Sequence, residues 1–430
     1  MMDNIVSYVK GKVDMYEIFF NESDILNIEA DGKKANFVSQ GNINGFALRV
    51  VIGKKIGFAS TLNLNNYKEC VDNAIKIAKL NNVDKDFKNF ALPEKYKKIK
   101  NYSNELIDFD AEGFFKLNKE IVDEVCKLNE DIEITRIIYY KGINNKRIIN
   151  SNGINFGDKV ASNSFVYELK LGNEAVDLHD SNNSVLTTRN VKENVERLES
   201  LYNKRRIKGA EIPIIFHQNA FSEFLDNSFE FNINAENVQN GKSLFKNKVG
   251  EKIFDKRISI RDNGLQKGLI NSRSFDDEGI PSRKTDIIKN GVLKGFIYDI
   301  YSANKEGKKS TGNAIRATNF IPKISTTNLI FNKGNKTKEQ LIRSIDKGLY
   351  INSLLGGHTM NEATGDFSFV VSEGQYIEKG EIKYPVKDVM IAGNFYKMLN
   401  NIDSIGKGVK HYGSGYYLPL ILFSKVNIIG

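Results

Sequence analysis

The sequence predicts an α+β protein of two domains, and three observations predict it. Two stretches carry apolar residues at spacings of three and four. Many shorter stretches alternate apolar and polar residues, and glycine or asparagine punctuates them at close intervals. With 430 residues, 40% of them hydrophobic, the chain can bury two ordinary cores. The expected division is a mixed α/β N-terminal domain over residues 1–205 and a mainly antiparallel β C-terminal domain with a few helices over 206–430.

The elements follow in order. Residues 3–10 fit a short amphipathic helix. Strands are expected at 15–21, 25–30, 36–40 and 45–52, punctuated by Gly32, Gly41 and Gly53; Phe46, Leu48 and Val50 alternate as in a half-buried strand. Asn65 or Asn66 caps a helix with Tyr67, Val71, Ala74 and Ala78 on one face. Pro93 and Glu94-Lys-Tyr-Lys-Lys-Ile-Lys100 read as a mobile connection. Asp110 caps a second long helix whose inward side is Phe114, Leu117, Ile121, Val125 and Leu128. Strands follow at 132–140, 147–150 and 165–171, then a helix from Asn190 with Val191, Val195 and Leu198 inward. The second half opens with a strand at 212–216 and a helix from about Asn219. Strands then prevail, broken by a helix from the capping box Thr337-Lys-Glu-Gln340 to Gly348 and another from Asn394 with Phe395, Leu399, Ile402 and Ile405 inward.

Composition excludes several classes. Cys70 and Cys126 are the only cysteines, so no disulfide framework exists; both fall on apolar helix positions, where buried reduced thiols are expected. The N-terminus lacks the basic flank and apolar core of a signal peptide, and no apolar run reaches the length of a membrane span. A cytoplasmic location is the expectation. The net charge of +9 is spread along the chain, so it gives no specific signal for nucleic acid.

The stretch Arg273–Asn313 organises the rest. Thr285-Asp-Ile-Ile-Lys and Val292-Leu-Lys-Gly-Phe-Ile-Tyr flank Asn290-Gly291, a pair suited to the two positive φ angles of a type I′ turn. Ahead of it stands the acidic turn Asp276-Asp277-Glu278-Gly279-Ile280-Pro281, and behind it Ser310-Thr311-Gly312-Asn313. Neighbouring turn carboxylates point in different directions and no His or Cys is close, which favours turn chemistry over a metal site.

These blocks resemble the TldD/PmbA family of peptidases, in its PmbA (TldE) branch. Phe275-Asp-Asp-Glu-Gly, Asn290-Gly291-Val-Leu-Lys-Gly and Ser310-Thr-Gly-Asn313 carry the resemblance. It extends through Thr364-Gly-Asp-Phe-Ser368, Tyr384-Pro385-Val386 and Ile391-Ala-Gly-Asn394, and back to Leu48-Arg49-Val50 and Gly57-Phe-Ala-Ser-Thr61. The resemblance implies peptidases that act as paired subunits, one zinc-bearing and one not.

The zinc subunits of that family carry His-Glu-x-x-x-His on the helix after the 212–216 strand, two imidazole ligands one turn apart and a Glu base. Here the segment reads His217-Gln-Asn-Ala-Phe-Ser-Glu-Phe-Leu-Asp-Asn-Ser-Phe-Glu-Phe231. Starting at His217, Gln218 stands for the base and Ser222 for the second ligand. Starting at Asp226, Asn227 stands for the base and Phe231 for the second ligand. Neither register offers a base or a ligand pair. Of the four histidines, His179, His217, His358 and His411, no two share a metal-binding spacing. His411 falls near a third ligand of the zinc subunit and is the weak metal candidate; His217 and His358 read as polar loop residues. No Gly-x-Ser-x-Gly elbow, complete P-loop or activated cysteine is present.

No catalytic residue is therefore assigned, and no cofactor in this chain. The resemblance implies a TldD-like zinc subunit as partner and unfolded peptide as substrate, with a homodimer open when the partner is absent. The candidate substrate-binding residues are Asn313 and Thr364, Gly365, Asp366, Phe367 and Ser368, where a strand could accept an extended peptide. Two alternatives stand beside this: a self-sufficient metallopeptidase with a site around His411 and the Asp276–Glu278 turn, or a non-enzymatic basic binding module.

Overall fold

The computed structural model describes residues 2–31 and 34–430, so the punctuating Gly32 lies outside the described residues. Two compact units interleave along the chain. The first gathers the residues up to Val195 with Gly264–Arg283 and Tyr298–Ser325; the second gathers Glu196–Asn263, Lys284–Ile297 and Thr326–Gly430. These compact units do not follow the expected single cut between 205 and 206. The returning segment belongs with the first unit because Phe275 and Ile280 bury themselves against Phe19, Ala47, Ile148 and Ile154.

The first unit is an antiparallel sheet of six strands backed by helices. Its strands are β1 (Met15–Asp31), β2 (Lys34–Ile52), β3 (Lys55–Thr61), β4 (Glu133–Asn150), β5 (Asn155–Leu171) and β6 (Glu174–Asn182), in the order β3-β2-β1-β4-β5-β6. Where the sequence suggested pairs of short strands, β1, β2 and β4 are each continuous. The polar stretches that read as turns are held in the ladder by their side chains: Asn42 donates to Asp24 at 2.7 Å, and the Ser23 hydroxyl donates to Asn144 at 2.6 Å. Helices α1 (Met2–Val9) and α2 (Tyr67–Leu80) cover one face, packing Val9, Val71, Ala74 and Ala78 on Ile18, Phe46, Leu48 and Val50. Gly57 is required here, since a Cβ would stand 2.0 Å from the Ala74 carbonyl oxygen.

Past the single turn α3 (Asn104–Asp108), helix α4 (Ala111–Leu128) starts at the expected cap, with Asp110 accepting from the Gly113 amide at 2.9 Å. Its Phe114 stacks on Tyr139 with ring centroids 4.7 Å apart. Cys70 is buried as expected, and its burial pushes the thiol up to about 12. Cys126 is exposed, a correction: it lies off the stripe of Phe114, Leu117, Ile121 and Val125 that α4 buries. The lysine run is pinned, too, because Ile99 is buried and its amide donates to the Ser274 hydroxyl at 3.0 Å. Helix α5 (Val191–Glu199) buries Val191, Val195 and Leu198 as the spacing predicted.

In the second unit β7 (Ala210–Phe216) pairs in parallel with Lys347–Leu355 and antiparallel with Tyr416–Ile429. Through Asp366–Glu378 and Met390–Asn394 the pairing returns to Tyr416–Ile429, so these five strands close on one another. The core is aromatic: on α6 (Gln218–Phe224), Phe224 stacks on Phe395 at 5.1 Å and meets Phe367 at 4.9 Å, while Phe221 meets Phe331 at 5.5 Å.

Asn290 and Gly291 take φ of 50° and 78°, the two-residue turn expected, joining Lys284–Lys289 to Val292–Leu293. The second of these strands stops at Leu293, well short of the expected seven residues. The capping box at Thr337 and Gln340 is present, but its helix ends at Arg343, because Gly348 is already in a strand packed on the Pro213 carbonyl. Ile402 and Ile405 are buried as expected but on a strand, opposite Phe423 and Ile421; the helix from Asn394 is a single turn. Among the described residues no helix is long and apolar enough to cross a membrane.

Candidate active-site helix and a buried charge network

Strand β7 delivers the chain to His217, whose side chain caps α6 by accepting from the Asn219 amide at 3.3 Å. His217 is buried, not a polar loop residue, and burial with Lys410, Arg197 and Lys338 nearby holds its imidazole down to about 3. It therefore stays neutral at any physiological pH.

Beyond Phe224 the helix widens into one π-helical turn, Leu225–Phe229, in which the Glu230 amide reaches back to the Leu225 carbonyl. Residues 226 and 230 then share one side. The Tyr416 hydroxyl donates to Asp226 at 2.5 Å, and the Thr326 hydroxyl donates to Glu230. Burial raises both carboxyls above their ordinary range, and the same effect, with the two carboxylates beside it, raises Tyr416. Asn227 bonds the Glu223 carbonyl at 2.7 Å, and Gly357 approaches so closely that a Cβ would stand 2.2 Å from Glu223 Oε2.

These residues do not fit a zinc ion. The positions for ligand, base and second ligand hold Asp226, Asn227 and Phe231, and Asp226 and Glu230 accept from the Tyr416 and Thr326 hydroxyls. Among the described residues no three His, Cys, Asp or Glu side chains come together as a metal site. His411 sits on a strand opposite Tyr417, its ring 5.1 Å from the tyrosine ring, and His358 is exposed on a short turn.

The helix also grips the loop that the sequence singled out. Asn232 Nδ2 donates to the Glu362 and Ala363 carbonyls at 2.9 and 3.2 Å, and the Ser228 hydroxyl donates to Glu362 at 2.9 Å. Tyr396 closes the group, 2.7 Å from Ser228 and 2.8 Å from Asn232. The amides of Ala363, Thr364 and Gly365 all bond Asn361. Gly365, at φ 76°, lies under the Tyr396 ring, where a Cβ would come within 2.6 Å. Phe367 is buried, whereas Asp366 and Ser368 face outward with Val370. Asn313 belongs to the first unit and is fully buried, donating to the Ser325 carbonyl at 3.0 Å and accepting from the Thr311 hydroxyl at 2.7 Å. Sequence reasoning missed Ser228, Asn232, Tyr396 and Tyr416; the i, i+4 spacing of Ser228 and Asn232 was the one local signal for any of them.

The acidic turn of the first unit is buried and fully engaged. Asp276 accepts from the amides of Glu278, Ile280 and Ala314 at 2.9–3.0 Å. Asp277 pairs with Lys146 at 3.1 Å and accepts from the Arg316 amide. Glu278 pairs with Arg49 at 2.9 Å and accepts from the Ile300 amide at 2.8 Å. Arg49 also grips Glu17, its neighbour across β1 and β2, and Glu17 takes Arg316 at 2.7 Å. The two arginines hold the Glu17 carboxyl below its usual range against the cost of burial. Glu278 is pushed the other way, up to about 8, because burial and the nearby Asp299, Asp276 and Glu17 outweigh Arg49.

A pH dependence follows. An unfolded Glu ionises near ~4.3, so the folded chain holds the extra proton from there up to about 8. Stability from Glu278 is full below the lower value and is lost as pH rises through the upper one. Thermal melts between about pH 6 and about pH 9 should fall with pH, and less steeply in Glu278→Gln. Equal slopes would show that Glu278 is ionised throughout.

The site's scaffold is thus a strand running into a helix with one π-turn, whose Asp226 and Glu230 accept from Tyr416 and Thr326. The comparisons agree on the scaffold. The PmbA/TldA metallopeptidase C-terminal domain matches residues 209–430, and domain 1 of the same family matches residues 16–78. An uncharacterized protein of Methanocaldococcus jannaschii is 32% identical over 91% of this chain and 92% of its own. A metalloprotease PmbA homolog of Haemophilus influenzae is 26% identical over 94% of this chain and 90% of its own. The crystal structure of TldE from Thermococcus kodakarensis superposes with a TM-score of 0.92 at 24% identity over the whole of both chains, a likeness of fold. The chain belongs to the PmbA/TldD metallopeptidase family.

Proposed function

We propose that this chain is the zinc-free, PmbA/TldE-type subunit of a cytoplasmic two-subunit metallopeptidase that degrades unfolded peptides. A TldD-like partner would supply the zinc, its ligands and the general base. One observation carries the reading: the motif helix holds Asp226, Asn227 and Phe231 where a zinc subunit has its ligands and base, and Tyr416 and Thr326 occupy the carboxylates. The rest of the family's blocks are intact, which suits a role for which the scaffold suffices.

The contribution of this chain is then to hold substrate. Asp366 and Ser368 project from the outward face of their strand while Phe367 and Phe369 anchor the other face in the core. Hydrogen bonds from Asn394 and Thr364 hold the Asp366 carboxyl below its usual range, so it is ionised and able to accept from a peptide amide. An extended peptide offers such amides, whereas a folded protein has already paired its own. Elemental analysis of the isolated chain, purified without chelator, should find zinc far below stoichiometry; about one zinc per chain would overturn the reading.

A further inference from the structure

The lysine run at 94–100 has no part in the proposed peptide chemistry, yet the fold gives it a definite place. Ile99 is buried, so the extended segment sends its neighbours Lys98 and Lys100 to the other side. With Ile99, Tyr102, Arg147, Gly157 and Lys159 they line an open surface recess of about 530 Å³.

The charge of this recess is one-sided. Five cationic residues line it, Lys98, Lys100, Lys146, Arg147 and Lys159, against the single carboxylate of Asp158. Asp158 already accepts from the Ser274 amide at 3.0 Å and the Lys159 amide at 3.1 Å. Lys146 is neutralised by Asp277. Among the described residues the other four form no ion pair within 4 Å: Lys100 donates to the Asn104 amide oxygen at 2.6 Å and Arg147 to that of Asn155 at 2.8 Å, both neutral acceptors. Tyr102 lies beside two of them, with Lys100 Nζ 5.1 Å and Lys159 Nζ 5.7 Å from its ring centre.

We propose that this recess binds a small oligophosphate, either the phosphate chain of a nucleotide or free polyphosphate. With Asp158 the one lining carboxylate and Glu105 near Lys100, positive charge remains in excess, and a multiply charged anion offsets it at each contact. Lysines suit phosphate oxygens, which accept a point charge from any direction. The ring of Tyr102, already flanked by cations, offers a stacking surface to a base.

The test is calorimetric titration of the full chain with inorganic triphosphate and, separately, with ATP. Both should bind at physiological ionic strength, and Lys100→Ala/Lys159→Ala should weaken both by about tenfold or more. Tyr102→Leu should weaken ATP alone if the source is a nucleotide, and neither ligand if it is free polyphosphate. Melting temperatures check that each variant folds, and Lys159→Gln serves where the double variant does not. Absence of binding to both, binding that survives the substitutions, or binding confined to duplex DNA would overturn the proposal. None of these outcomes bears on the zinc-free reading, which the metal content decides separately.

Discussion

Gly291→Val is expected to destabilise the chain by about 2–6 kcal/mol, the sum of two separate costs. Gly291 holds φ at 78°, where a β-branched residue is strained by ~1–3 kcal/mol. Its missing Cβ is also a packing requirement: that atom would stand 2.3 Å from the Phe254 carbonyl oxygen and 2.8 Å from that of Asp255. Those oxygens belong to backbone that is itself bonded, since the Gly291 carbonyl accepts from Ile253 and Phe254 and its amide donates to Ile258. The neighbours cannot retreat without breaking these bonds, which adds a further ~1–3 kcal/mol. Gly291→Ala should show most of the second cost with less of the first. Denaturant unfolding of the three proteins measures this, and a midpoint unchanged in Gly291→Val would refute it.

Arg316→Met is expected to cost about 3–5 kcal/mol, because it strips one partner from an ion pair in which neither side chain is exposed. The guanidinium lies over Phe19 at 4.4 Å and holds Glu17 at 2.7 Å. Methionine fills much of the same volume, so the loss reports charge rather than a void. Arg49 stays on Glu17 with two hydrogen bonds, at 3.0 and 2.8 Å, which should keep the cost toward the lower end. Removing both partners as Glu17→Leu/Arg316→Met should recover little of it, since Arg49 then loses both hydrogen bonds to Glu17 and keeps only Glu278. A double-mutant cycle by chemical denaturation checks the pair. A loss under about 1 kcal/mol for Arg316→Met would mean that water reaches Glu17 and solvates it.

The sequence was informative where the determinant is local. The Asp110 cap, the α4 stripe from Phe114 to Val125, the Thr337–Gln340 capping box and the Asn290-Gly291 turn each lie within a few residues of their effect and stand where expected; Leu128, expected inward, is exposed at the end of α4. Long strands were misread for a physical reason: Asn42–Asn44 and Asn144–Asn145 have turn propensity, and only cross-strand partners such as Asp24 and Ser23 keep them extended. Ile402 and Ile405 show the converse. Their spacing fits a helix, but burial against a neighbouring strand serves the same residues equally well.

At the candidate site the sequence shows residue order and little of the contacts. That neither register of the 217–231 segment supplies a base and a ligand pair is visible in the order of residues. What replaces them is not, because Tyr416 meets Asp226 across 190 positions and Arg49 meets Glu278 across 229. The turn Asp276–Glu278 was read as turn chemistry, which accounts for Asp276. Its burial and its link to Glu17, Arg49 and Arg316 needed the sheet to be assembled first.

The central claim, that activity belongs to a pair in which this chain is the zinc-free member, is tested most directly by cleavage of an unstructured peptide. The peptide is incubated with this chain alone, with a zinc-motif relative from the same cell alone, and with both together. The account predicts cleavage only with both, or a sharp rise with both, and its loss on chelation. Cleavage by this chain alone, or no effect of adding it to its partner, would contradict the account.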